Sequence, residues 1–156
     1  VNLPNRCYHL ISRVAHRAFF LDDEERTRLV DLVRRVSRFS GVKLLAYGVM
    51  SNHFHVFVYI GHPERIDDAE IVRRIAGLYS DARFNQVMKR WNELAKRPDS
   101  SSFRRYRKSF LKRMWNASEF MKTLKQHYTM SFNARRDHHG TMWESRYRVR
   151  VKDPGA

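Results

Sequence analysis

One cysteine, Cys7, in 156 residues excludes an internal disulfide and any cysteine-rich zinc module. Cys7 itself reads as a small buried hydrophobe. Glycine (6) and proline (4) are also scarce, and no low-complexity run, internal repeat or interdomain linker is evident. A single domain over 1–156 is therefore expected, long enough to bury most of its apolar surface around one core. Long hydrophobic runs are missing too: none exceeds about seven residues, against the ~20 a membrane span needs. No signal-peptide pattern opens the sequence, so a cytoplasmic protein with no membrane partner is expected.

Negative charge is the scarcest commodity relative to its opposite. Lys plus Arg number 31 against 16 Asp plus Glu, a formal charge of +15. Such an excess calls for a polyanionic partner, nucleic acid first. It is concentrated late in the chain: residues 98–156 carry 14 basic and 5 acidic side chains.

Apolar periodicity supplies the elements. "CYHLISR" (Cys7–Arg13) is a predicted strand, and "DDEERTRLVDLVRRVSRFSG" a helix with acids in its first turn and Gly41 past its end. Val42–Met50 and His53–Ile60 are strands joined at Ser51-Asn52, a predicted hairpin. Ile71, Ile75 and Leu78 fit one short helix, and Phe84, Val87, Met88 and Trp91 another. A third, Phe103–Met114, carries Arg104, Arg105 and Lys108 on its polar surface. Asn116, three residues before Glu119, is a predicted N-cap for a helix through about Ala134. Tyr147–Val151 is a short strand with alternating basic residues. The expected class is α+β: a ferredoxin-like or RRM-like antiparallel sheet, helices on one face, and a helical insertion at about 62–117.

Within "VMSNHFHVFV" (49–58), alternation along a strand puts His53, His55, Phe57 and Tyr59 on one face and Phe54, Val56, Val58 and Ile60 on the other. The second set packs on helices. The first leaves two imidazoles about 6–7 Å apart along the strand, a spacing that lets both converge on one ion. Two ligands form an open site, completed by another side chain, water or a substrate phosphate; the competing reading is a pair of sheet-face histidines bonded to neighbours. His9 approaches the pair if its strand is central, and is otherwise a polar sheet-face residue.

The block "VMSNHFHVFV", after a strand-helix-strand start, and "EFMKTLKQHYTMSFNARRDHHGTMWESRYRV" together resemble the HUH-type single-tyrosine transposases: insertion-sequence transposases and their relatives associated with repetitive extragenic palindromes (REP). The resemblance covers Tyr8–Ile60 and Glu119–Val151. It implies binding of single-stranded or hairpin DNA, with His53, His55 and a third polar side chain holding Mg²⁺ or Mn²⁺ on the scissile phosphate. It also implies strand cleavage and rejoining through a 5′-phosphotyrosine, and a homodimer paired through a sheet edge. The family's tyrosine lies on a helix that would begin about where "VKDPGA" (Val151–Ala156) ends this sequence. That places the nucleophile outside these residues, or makes the chain a non-catalytic hairpin-binding module. Tyr128 is the internal candidate, although it shares the apolar stripe of Phe120, Met121, Leu124 and Phe132. Arg104, Arg105, Lys108, Lys125, Arg135, Arg136, Arg146, Arg148 and Arg150 are candidate DNA contacts, with Trp143 as a stacking platform. An RRM-like RNA-binding domain is a third reading, weakened because the glycine-aromatic pattern of such sheets is missing.

Overall fold

A computed structural model describes residues 3–155. The element order is β1 (Arg6–Arg13), a 3-10 turn (Ala15–Arg17), α1 (Asp23–Ser40), β2 (Lys43–Val49) and β3 (His53–Ile60). Helices α2 (Asp68–Leu78), α3 (Asp81–Ala95), α4 (Ser101–Leu111) and α5 (Ala117–Arg136) follow, and β4 (Arg148–Lys152) closes the chain. The strands form one antiparallel sheet in the order β2-β3-β1-β4. This is the ferredoxin-like order, reached when two strand-helix-strand crossovers interleave. Its consequence for function is that β1 and β3 are central.

Alternation decides the two faces. Phe54, Val56, Val58 and Ile60 of β3 are buried, as are Tyr8, Leu10 and Ser12 of β1. The apolar ones share a core with Val33 and Val36 of α1 and with Phe120 and Leu124 of α5. His53, His55, Phe57 and Tyr59 are half-buried on the opposite face. Cys7 is half-buried on that face too, one residue out of phase with the core set, so its expected burial does not hold.

The helix ends follow their caps. The Asp22 carboxylate accepts from Glu25 N at 2.9 Å, and Asn116 Oδ1 from Glu119 N at 2.9 Å, satisfying otherwise orphaned amides. Gly41 closes α1 at φ +67°, where a Cβ would also stand 2.7 Å from Trp115 Nε1. Gly41→Ala is accordingly expected to cost about 1–3 kcal/mol, from the left-handed backbone and the displaced indole together. A chemical-denaturation midpoint indistinguishable from that of the parent protein would contradict this.

The segment 141–147 is anchored rather than loose. Val14 and Trp143 form an antiparallel bridge, with Ala15 N donating to Met142 O and Glu144 N to Arg13 O. The bridge drives Trp143 into the core, where its ring meets Phe54 and Tyr128. No helix among the described residues is long and apolar enough to cross a membrane.

Candidate metal centre and nucleic-acid interface

The β2–β3 turn sets the first histidine. Met50 N donates to His53 O at 2.8 Å, closing the hairpin. Asn52 is oriented by its own amide, whose Nδ2 donates to Arg17 O at 3.4 Å. Its Oδ1 therefore faces the ring of His53 and accepts from His53 Nδ1 at 2.9 Å. An amide oxygen only accepts, so the His53 proton sits on Nδ1 and Nε2 presents a lone pair. Burial, then the Arg13 charge, then His55 push the His53 pKa below its ordinary value. His53 thus stays neutral, and able to ligate, through physiological pH.

The second histidine has a partner from the neighbouring strand. The β1–β3 register sets Ile11 opposite His55, His9 opposite Phe57 and Arg13 opposite His53. Diagonally across it, His9 Nε2 lies 2.9 Å from His55 Nδ1. The His9 ring stacks on Phe57 at 4.1 Å between centroids, and the His53 and His55 rings stand 5.2 Å apart at 69°. Burial lowers the His9 pKa, followed by His55, Arg150 and Lys152.

A basic margin borders the cluster. In β4, Arg148 pairs opposite Ile11, Arg150 opposite His9 and Lys152 opposite Cys7, so all three cations share the histidine face. They are exposed, and none has an ion-pair partner among the described residues. Arg146 is exposed just before the strand. Sequence reasoning found Arg148 and Arg150 but missed Arg13 and Lys152, whose membership depends on strand register. Asn52 was legible as a turn residue, not as a histidine partner.

Several other sequence-based assignments are corrected. Tyr128 is 1% exposed and lies on the helix side of the sheet, opposite the histidines. Its hydroxyl donates to Glu25 Oε2 at 2.5 Å, and burial with that carboxylate pushes the phenol far up, away from a nucleophilic phenolate. Trp143 is 5% exposed, which removes it as a stacking platform. Arg135 is half-buried and committed to Glu25 (2.6 Å), so it holds α5 to α1; Arg136 pairs with Asp22 (2.7 Å) while remaining exposed. Lys125 is half-buried, its ammonium donating to Glu144 O at 3.4 Å, and burial lowers its pKa. Arg104, Arg105 and Lys108 are exposed on α4, which packs on α3 in the helical arm.

As a donor set, the face offers two imidazoles whose Nε2 atoms have no partner among the described residues. Among the described residues no group of three or more His, Cys, Asp or Glu side chains is placed to hold a metal. Such a pair fits a divalent ion whose other positions are filled by water, phosphate oxygens or another side chain. Nor does a described tyrosine serve the pair. Tyr8, Tyr59 and Tyr147 are hydrogen-bonded to Leu3, Asn5 and Ser118, Tyr47 and Tyr79 to Arg34 and Arg113. Tyr106 packs in the helical arm, tilted against Trp91 and edge-on to Phe110.

A solved structure shares this fold. A crystal structure of a candidate transposase from Deinococcus radiodurans R1 matches with a TM-score of 0.53 at 17% identity, covering 96% of this chain and 81% of that one. A structure of a REP-associated tyrosine transposase bound to a REP hairpin aligns with a TM-score of 0.46 at 13% identity, covering 99% of this chain and 60% of that one. No curated protein matches. The family described as "Transposase IS200 like" matches residues 2–110, running through α2 and α3 into α4, much of the segment read from sequence as an insertion. That match takes in the histidine pair and more than two thirds of the sequence: the chain belongs to the IS200-like transposase family.

Proposed function

We propose that the open sheet face binds single-stranded or hairpin DNA and that His53 and His55 hold a divalent cation, Mn²⁺ or Mg²⁺, at the scissile phosphate. The reaction is strand cleavage and rejoining, as the resemblance to HUH-type transposases implies. A tyrosine oxygen attacks phosphorus, the bond to the 3′-oxygen breaks, and that oxygen leaves as a 3′-OH. The products are a 5′-phosphotyrosine and a free 3′ end, and the reverse step rejoins a strand. The observation that carries the reading is the juxtaposition of the paired imidazoles with Arg148, Arg150 and Lys152 on one face.

The chain's own contributions follow from that placement. Arg13 and the β4 cations draw the phosphate backbone across the face, and Phe57 and Tyr59 give the sheet apolar surface for bases. His53 and His55 position the ion by Nε2. When bound, the cation neutralises charge on the phosphoryl oxygens and favours attack. Imidazole donors bind Mn²⁺ more readily than Mg²⁺, which prefers an all-oxygen shell. No described tyrosine is assigned as the nucleophile: Tyr128 is buried on the helix side of the sheet, and Tyr59, on the histidine face, donates its hydroxyl to Asn5. The same fact favours the second reading, a domesticated module that recognises hairpin DNA without cutting it.

Both readings require the β4 cations to contact phosphate. Fluorescence anisotropy with a labelled hairpin carrying a single-stranded extension tests this as a function of salt. The Arg148→Ala/Arg150→Ala variant is expected to lower the slope of log K against log salt by about 1.4, since each single-strand phosphate contact contributes about 0.7. An unchanged slope with wild-type affinity would place the DNA on another surface.

A further inference from the structure

The contact between His9 and His55 assigns a role to a residue outside the pair. We infer that His9 is a positioning residue: accepting at Nε2, it fixes His55 as the Nδ1–H tautomer and leaves His55 Nε2 free for the cation. The choice of His55 as donor rests on the function proposed above; the contact between the two rings does not.

The geometry leaves few options. The two nitrogens are 2.9 Å apart, and between neutral rings one nitrogen donates while the other accepts. Were His9 the donor, His55 would accept at Nδ1 and carry its own proton on Nε2, the only nitrogen left to meet an ion. With His55 the donor, its Nε2 is bare. The arrangement then repeats that of His53, whose Nδ1 is taken by Asn52 Oδ1 at 2.9 Å. Each imidazole thus has Nδ1 held by a neighbour and Nε2 open, with the rings 5.2 Å apart. A fixed partner on the non-ligating nitrogen sets ring orientation as well as tautomer.

His9 is well placed to hold its position. β1 is central in the sheet, paired to β3 on one side and β4 on the other. The His9 ring is further stacked on Phe57, nearly parallel at 13°. Its Nδ1 has no partner among the described residues, so the proton displaced there meets solvent.

The test is ¹⁵N imidazole NMR on metal-free protein at mildly alkaline pH, with His55 assigned by substitution, followed by Mn²⁺ titration. In the wild type, His55 is expected to show a protonated Nδ1 and a bare, pyridine-like Nε2. His9→Phe should move the proton to Nε2 and weaken Mn²⁺ binding roughly 10–100-fold, as loss of an outer-sphere partner does. His9→Gln, whose amide oxygen can take the place of the accepting nitrogen, should restore both the tautomer and most of the affinity. A wild-type His55 protonated on Nε2, or a tautomer unmoved in His9→Phe, would overturn the inference. A tautomer that switches as expected in a protein that binds no Mn²⁺ would uphold the role of His9 and refute the metal site instead.

Discussion

Glu25→Ala is expected to destabilise the fold by about 3–5 kcal/mol, the cost of breaking a buried ion pair by removing one partner. The melting temperature should fall by roughly 10 °C for a domain of this size. Glu25 is fully buried, yet its carboxylate lies between cations: Arg135 donates from Nε at 3.1 Å and Nη2 at 2.6 Å, and Arg136 Nε approaches to 3.6 Å. Tyr128 donates to it as well. Removing the carboxylate leaves a largely buried guanidinium and a buried phenol without their acceptor, and unlatches the start of α1 from the end of α5. Burial alone raises the Glu25 pKa, but the bonds from Arg135 and Tyr128 and the nearby charges outweigh it, and the net shift is downward. A lowered folded-state pKa means the stabilisation is complete above the ordinary glutamate value of ~4.3 and fades as pH falls through the folded value. Wild-type stability should therefore drop steeply in acid, and that of Glu25→Gln less so. Calorimetry over pH checks both, and a melting temperature unchanged in Glu25→Ala would show that the cluster contributes nothing.

The second large effect concerns chemistry. On the cleavage reading, His53→Ala is expected to reduce Mn²⁺-dependent formation of a denaturation-resistant adduct on hairpin DNA by at least ~100-fold, exceeding the loss from an outer-sphere change. Tyr128→Phe should leave the adduct intact, because that hydroxyl is buried on the other side of the sheet. It should cost only the stability of one hydrogen bond to a charged group, about 1.5–3 kcal/mol. An adduct abolished by Tyr128→Phe in a folded protein would make Tyr128 the nucleophile. Gel electrophoresis of a labelled oligonucleotide separates the outcomes.

Much of the fold was legible because it follows from local rules. Alternation over His53–Ile60 assigns both faces of β3 without any knowledge of its neighbours. Asn116 and Gly41 mark helix ends by their own chemistry. What escaped the sequence depends on residues brought together from afar. Arg135 and Arg136 look like any cations in a basic tail until α5 folds against α1 and sets them beside Glu25, 110 residues away in the case of Arg135. Trp143 reads from sequence as a stacking platform beside the last strand; its bridge to Val14 makes it a core residue. His9 was legible on the condition that its strand is central, which it is, whereas Lys152 joins the site only through the register of β1 with β4. Pairing registers of this kind are set by tertiary contacts, and no window of sequence contains them.

Whether the paired histidines hold a metal ion decides the proposed function most directly. Titrating Mn²⁺ into the protein, followed by electron paramagnetic resonance with and without hairpin DNA, measures this. One Mn²⁺ site is expected, strengthened when DNA supplies phosphate oxygens and lost in His53→Ala/His55→Ala, with the salt dependence of DNA binding unchanged. Equal Mn²⁺ binding by the wild type and the double variant would contradict the account.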